Sequence, residues 1–427
     1  MKSGAIAARM AAAVIAATCV AQYGAMAEST TPTYVGMTEQ DVGVMDRARP
    51  AYDAKGTPLG GFRLFPGLDI SSSYDDNVFR TNSPLSDWFF TISPGARIKS
   101  QWGRHFFEVY GGSNTYAFTK YTAENLTDWR VGADGRYDIS HAANVTASAS
   151  YGQQHELWSA PNNVAGFQAA PNRSWQAHVD TSATYQPDRL GIGIGGSFDN
   201  NNWTRTPLIG GGYLNNDDRD QHEYQGYARI FYDFSPGYSG YVKASYDERD
   251  FDQLTDRSGV HRSSHGFRVD GGVNLQLTHL VRGEVFVGYL SQNFASPALK
   301  DISGFDYGVQ LDWFVSDVLT AHLSGRRTLD DVVLSGVSLA DNKSVYASAD
   351  YEFRPNIILQ AHASYTNTTY GGSTRTDNYP GAGVGVKYLV NQYASLNLNY
   401  NYSQRSTQSS AFEYTDNTVS IGLSLHI

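Results

Sequence analysis

The chain of 427 residues has a single cysteine, Cys19. A disulfide framework is therefore excluded, and so is a metal centre built from several cysteines. No run of about 18 apolar residues occurs, so no helix of ordinary length can span a bilayer. Nucleophile elbow, HExxH and Walker loop are all missing. Basic side chains are scarce. Setting aside Lys2 and Arg9 leaves 30 Lys and Arg against 42 Asp and Glu, a net charge of −12. That balance weighs against nucleic acid as a partner, since binding it needs cations for phosphates.

The N-terminus carries an address. Lys2 and Arg9 are basic, residues 10–20 are apolar and Ala-rich, and Ala25-Met26-Ala27 is an A-x-A cleavage site. Residues 1–27 thus read as a secretory signal peptide, too short in its apolar part to span as a helix. Thr18 is a poor residue before a lipidated cysteine. Cleavage after Ala27 removes Cys19 and leaves a mature chain without thiol chemistry. Residues 28–60 show no sustained periodicity and contain Pro32, Pro50 and Pro58. They read as a periplasmic leader or a plug.

From residue 61 to 427 the dominant period is two. Tyr (29), Phe (20) and Trp (7) make up 13% of the chain, beside 42 Gly. In GFRLFPGLDISSSYDDNVFRT, residues 61–81, every second residue from Phe62 is mostly apolar and the alternate set mostly polar. VRGEVFVGYL (281–290) and NTVSIGLSLHI (417–427) repeat the pattern. This is strand alternation rather than helical spacing.

The connections alternate as well. Short turns fall near Gly103 and at 141–144, 187–189, 235–237, 278–281, 316–318, 354–356 and 390–392. Longer polar loops fall at 76–86, 119–125, 159–173, 204–219, 253–262, 294–301, 331–341, 370–377 and 407–413. Short periplasmic turns and longer outer loops are what a transmembrane barrel needs. The expectation is an all-β, antiparallel, up-and-down barrel over 61–427, with about 18 strands (16 as the other count) and both termini in the periplasm. Its setting is the Gram-negative outer membrane, among its lipids and lipopolysaccharide. Trp88, Phe89, Phe90, Trp129, Trp175, Trp203 and Trp313 are expected in interfacial girdles. Such a barrel is roughly 35 Å across its backbone, with a lumen of about 20 Å. No single outer loop looks long enough to fill it. Either the pore is wide or residues 28–60 plug it.

Alternation also assigns the inward face. The candidate lumen-lining residues are Arg97, Lys99, Arg130, Asp134, Arg136, Lys243, Asp247, Arg249, Arg268, Asp270, Arg282, Glu284, Arg326, Asp350 and Glu352, with Asp138, Asp180 and Asp312 beside them. Both signs recur on neighbouring strands, which points to an ion-pair ladder; a polar track for sugar hydroxyls and carboxylates is the functional alternative. Tyr227 and Phe286 could stack on sugars or fill space. His178, His322, His362 and His426 also fall inward, without a motif that makes them catalytic. No cofactor is implied, nor a resident metal. Asp75, Asp76 and Asn77 read as turn formers, with a bound cation as the lesser alternative. LNNDDRD (214–220) reads as a solvated acidic loop, with calcium or a lipopolysaccharide bridge as the other reading.

Several features near the start carry a resemblance. They are Arg49-Pro50-x-Tyr52-Asp53, Leu64-Phe65-Pro66-x-Leu68, the run Tyr74-Asp75-Asp76-Asn77-Val78-Phe79-Arg80-Thr81, then Ser93-Pro94-Gly95 and Arg104-His105. Their order and spacing resemble the putative beta-barrel porin 2 family of Gram-negative outer-membrane proteins. The resemblance implies a conduit that moves a secreted exopolysaccharide across the outer membrane. It implies no catalytic residues. A barrel has no energy source of its own, so such a conduit would work with a periplasmic export protein. A diffusion porin for nutrients is the runner-up, and a lipid- or peptide-cleaving barrel enzyme is the third reading.

Overall fold

The computed structural model describes residues 42–427 apart from Val164, Thr278 and His279. Residues 1–27, expected to be a signal peptide, and residues 28–41 lie outside the described residues. Eighteen long strands form the wall. They are β1 (Phe62–Asp75), β2 (Asp87–Ser100), β3 (Phe106–Phe118), β4 (Leu126–Asp138), β5 (Ala143–His155) and β6 (Arg173–Tyr185). Then come β7 (Leu190–Trp203), β8 (Gln221–Ser235), β9 (Tyr238–Phe251), β10 (Ser264–Leu277), β11 (Val281–Phe294) and β12 (Ile302–Ser316). The last six are β13 (Leu319–Asp331), β14 (Leu339–Arg354), β15 (Ile357–Tyr370), β16 (Thr376–Asn391), β17 (Ala394–Thr407) and β18 (Tyr414–His426). Each pairs antiparallel with the next, and β18 returns to β1 from Gly67↔His426 to Asp75↔Thr418. The sheet is a closed up-and-down barrel of 18 strands, and the count of 16 is not needed.

Closure follows from the solvent. Lipid offers no hydrogen bonds, so a spanning sheet must pair every strand edge. The strands run 13–16 residues, longer than the roughly 9–11 that a bilayer requires. One edge is left short, because β18 covers β1 only from Gly67 upward. A three-residue strand, Thr57–Leu59, fills in below, pairing with Leu64–Phe62. Gly56 leads into it at φ +64, donating its amide to the Ile427 carbonyl at 3.1 Å. A Cβ on Gly56 would come within 2.7 Å of Arg63 and Phe65, so the position requires glycine.

The outward face is apolar. Ile194, Val242, Val287 and Ile421 are each about 60% exposed and alternate with inward polar residues. Trp88, Phe90, Trp129, Trp175 and Trp313 share that outward parity near strand ends. Phe89 and Trp203 depart from the expected girdle. Phe89 lies on the inward parity and packs with Tyr116 and Leu126, while Trp203 lies beneath Arg219 with 3.4 Å between guanidinium carbon and ring centre.

Val287 sits at mid-strand on the lipid face. Val287→Arg should destabilise the barrel by about 2–4 kcal/mol in chemical unfolding from liposomes. The same change at inward Gln310, directly opposite Glu284, should leave stability nearly unaltered.

Candidate functional site

The lumen is built by parity. Cross-strand register places all fifteen candidate residues on the face opposite the apolar one, together with Asp138, Asp180 and Asp312. Many are already compensated. Arg97 Nε lies 2.6 Å from Glu108, Arg136 Nη2 2.8 Å from Asp138, and Arg282 Nη2 3.1 Å from Asp312. Arg249 faces Asp247, Glu223 and Asp331, and Arg268 faces Asp306 at 3.9 Å. Glu108, Glu223, Arg229 and Asp306 were readable as inward from alternation but were absent from the candidate set. The ladder serves β8–β14 most densely. The opposite wall, β16–β18, is largely Gly, Ser and Asn at its inward positions.

The inward aromatics fill space. Glycines on neighbouring strands leave room, and rings lie into that room: Tyr227 over Gly195, Phe286 over Gly308, Tyr241 over Gly272. Lys243 Nζ then sits 4.7 Å from the Tyr227 ring centre and the Arg229 guanidinium 3.7 Å from that of Tyr241. Tyr227 is thus held between wall and cation. Tyr241 also donates its hydroxyl to Glu284.

At the outer mouth the loops act together. No loop fills the lumen alone, yet the loops interlock. β12 pairs with β13 only from Gly308↔Arg326 to Ser316↔Leu319, whereas β13 and β14 stay paired up to Asp331↔Leu339. At this end β14 stays paired with β15 to Ala340↔Tyr370, and only the β13 edge, released from β12, leans in over the mouth. Leu329 and Leu339, on the outward parity of their strands, pack against Leu290 and Ile302 from the inward face. Arg249, on β9, reaches Asp331 at 3.1 Å and the Leu329 carbonyl at 3.2 Å. Arg262 holds the tip: it donates to the carbonyls of Val332, Val337 and Leu334 at 2.8–2.9 Å and pairs with Asp256 at 2.6 Å.

Neighbouring loops join the same cover. Asn162 accepts the Val333 amide at 3.2 Å, and Arg405 on β17 donates to the Ser159 carbonyl at 3.1 Å. Trp158 donates to Glu124 at 2.9 Å. Glu156 pairs with Arg219 at 2.5 Å, and Asp218 with Arg257 at 2.6 Å. LNNDDRD is therefore not a solvated loop. Asn216, Asp218 and Arg219 are buried in a joint between loops, and their polar groups are spent on protein partners.

The described part of the leader lies at the opposite end. Val44 is fully buried, its amide donating to Thr320 Oγ1 at 2.9 Å. Arg49 donates to the Val44 carbonyl and to Glu352, each at 2.7 Å. Its own amide is capped by Asp53 at 2.5 Å. Residues 44–56 thus run from β13 and β14 to the Ile427 carbonyl at the end of β18, a chord across the periplasmic mouth.

The family model described as Putative beta-barrel porin 2 matches residues 49–427. The chain belongs to this family. It is an outer-membrane β-barrel porin. No curated protein matches its sequence. Among solved structures it is similar to outer membrane protein opdK from Pseudomonas aeruginosa, at 13% identity and TM-score 0.43, covering 85% of this chain and 99% of that one. The siderophore receptor PirA from Acinetobacter baumannii gives 8% and 0.48, covering 87% and 81%. OccK2 (OpdF) from Pseudomonas aeruginosa, solved with glucuronate, gives 10% and 0.46, covering 87% and 100%. Likeness at this level describes barrel architecture alone.

The family motifs of this porin do structural work. Arg49 and Asp53 cap the leader turn. Asn77 donates to the Thr81 and Thr415 carbonyls at 2.7 and 2.9 Å, tying loop 76–86 to β18. Two of the four inward histidines pair with carboxylates: His178 with Asp199 at 2.7 Å, and His322 with both Asp312 and Asp350 at 2.8 and 3.3 Å. With both ring nitrogens so engaged, His322 has none to offer a nucleophile.

Arg262 and Asp256 form a buried pair, and removing one partner of such a pair costs about 3–5 kcal/mol. Arg262→Ala should raise protease cleavage within 332–338 by about 100-fold or more, read on the folded porin. Burial by itself would push the Asp256 carboxyl up. Hydrogen bonds from Ser258, Val260 and Arg262 instead pull it down to about 2. Its stabilisation is complete above the ordinary value of 3.8 and is lost as pH falls through about 2. Protection of 332–338 should therefore fade between those two pH values and persist at neutrality.

Proposed function

We propose that this porin is a conduit for an exopolysaccharide leaving the cell, shut at rest by the outer loop cover and the leader and opened with a periplasmic export protein. The observation that carries this reading is the lumen wall. Its cations are largely matched by carboxylates, and the facing β16–β18 wall offers amides and hydroxyls such as Asn397, Asn399, Asn401 and Ser403. A surface of this kind exchanges hydrogen bonds with sugar hydroxyls without trapping a chain on a fixed charge. No residue is assigned a catalytic step, and cleavage of the signal peptide after Ala27 belongs to the same reading.

Single-channel recording tests the closure. The mature chain should conduct weakly. Removal of residues 28–54, which leaves Gly56 and the Thr57–Leu59 strand in place, or Arg49→Ala, should increase conductance several-fold. Deletion of the gene should lower extracellular polysaccharide. Unchanged polysaccharide with impaired uptake of a small nutrient would favour a diffusion porin instead.

A further inference from the structure

The seam between β1 and β18 ends, on the outer side, in three converging carboxylates. One oxygen each from Asp75, Asp76 and Asp416 lies within 4.8 Å of the other two. Asp75 and Asp416 are 9% and 3% exposed. Part of this cluster is accounted for by donors. The Asn77 amide donates to Asp75 Oδ1 at 2.7 Å, and the Asn417 amide and side chain donate to the two oxygens of Asp76, both at 2.7 Å. Arg80 Nε and Ser403 Oγ serve Asp416 Oδ2 at 3.2 and 3.3 Å. Asp416 Oδ1 is different: it is buried with no hydrogen-bond partner. A buried polar atom in that state costs about 1–3 kcal/mol, more if charged. The charge balance has the same gap. Three carboxylates face one guanidinium, two charges short of neutral.

We propose that Asp75, Asp76 and Asp416 bind a calcium ion that staples the first strand to the last. A divalent cation supplies the two missing charges and a partner for Asp416 Oδ1. Carboxylate oxygens are hard donors, which suit calcium and not the softer transition metals. Calcium takes 6–8 oxygens, and the half-buried Asp76 leaves one side of the site open to water for the remainder. Asn77 is not a ligand, since its side chain is committed to backbone groups of Thr81 and Thr415. The inference is independent of what crosses the pore.

The test uses the full mature chain folded in detergent free of lipopolysaccharide, stripped with EDTA and titrated with calcium chloride in a calorimeter. One ion per chain should bind, with Kd of about 0.1–1 mM as at other extracellular sites. Calcium should also raise the temperature at which the barrel loses its compact gel mobility. Asp76→Asn and Asp416→Asn should each weaken binding by about tenfold or more. Asp76→Asn sits at the open edge and keeps the test available if Asp416→Asn misfolds. No saturable binding by the wild type would overturn the proposal, as would binding that both variants retain. So would a barrel indifferent to calcium but stabilised in EDTA by lowering the pH from 8 to 5, since a proton shared by Asp75 and Asp416 would then balance the site.

Discussion

A sheet in lipid cannot leave an edge unpaired, and the seam between β1 and β18 is where this chain meets that demand with its two ends. Nine residue pairs close it, and they run out at His426. Below that point β1 would expose its edge, so the segment before it folds back as Thr57–Leu59. This fixes where the leader enters. Anchored at Ile427 on one side and at Thr320 and Glu352 on the other, the leader has to cross the periplasmic mouth. Its position there is a consequence of how the barrel closes.

The same economy shapes the lumen. Charges on an inner wall are only partly hydrated, so each needs a partner nearby. The wall from β8 to β14 answers with alternating signs on adjacent strands, and the end of the β13–β14 hairpin uses the same chemistry: Arg249 and Arg262 reach its carbonyls and Asp331. The β16–β18 wall, carrying little charge of its own, needs no such ladder. One side of the lumen is thereby stiffened by ion pairs, and the other is left with amides and hydroxyls.

Alternation made most of this legible in the sequence. Period two separates lipid from lumen along most of each strand, which is why the inward residues, eight short turns and nine longer loops follow from the chain alone. Loop folding was not legible. Nothing local marks Arg262 as the partner of carbonyls 70 to 75 residues further on, or Asp416 as the neighbour of Asp75 across the whole barrel. LNNDDRD looked solvated because its composition is polar, but a polar loop is buried readily when Glu156, Arg257 and Asn172 supply its partners. Phe89 and Trp203 escaped for a related reason: aromatics near a strand end serve either face, and composition does not distinguish a girdle from the underside of a loop.

The two ends of the barrel are held together differently. The outer network links five loops and β17 through buried groups, with Arg262 alone making three carbonyl contacts and an ion pair. Disturbing one member strands the partners of the others, so the cover should move as a unit, with the β13–β14 hairpin as its rigid element. Among its described residues the leader is held by the buried Val44, by backbone hydrogen bonds of Val44 to Thr320 and Gly56 to Ile427, and by Arg49 and Arg47 on Glu352. These pairs are few and partly wetted, and such contacts are individually weak. A force applied from the periplasm therefore meets the weaker closure first. If the leader left Glu352 and Thr320, the Glu352 carboxylate at the base of β14 would lose its two arginine partners, Arg47 and Arg49.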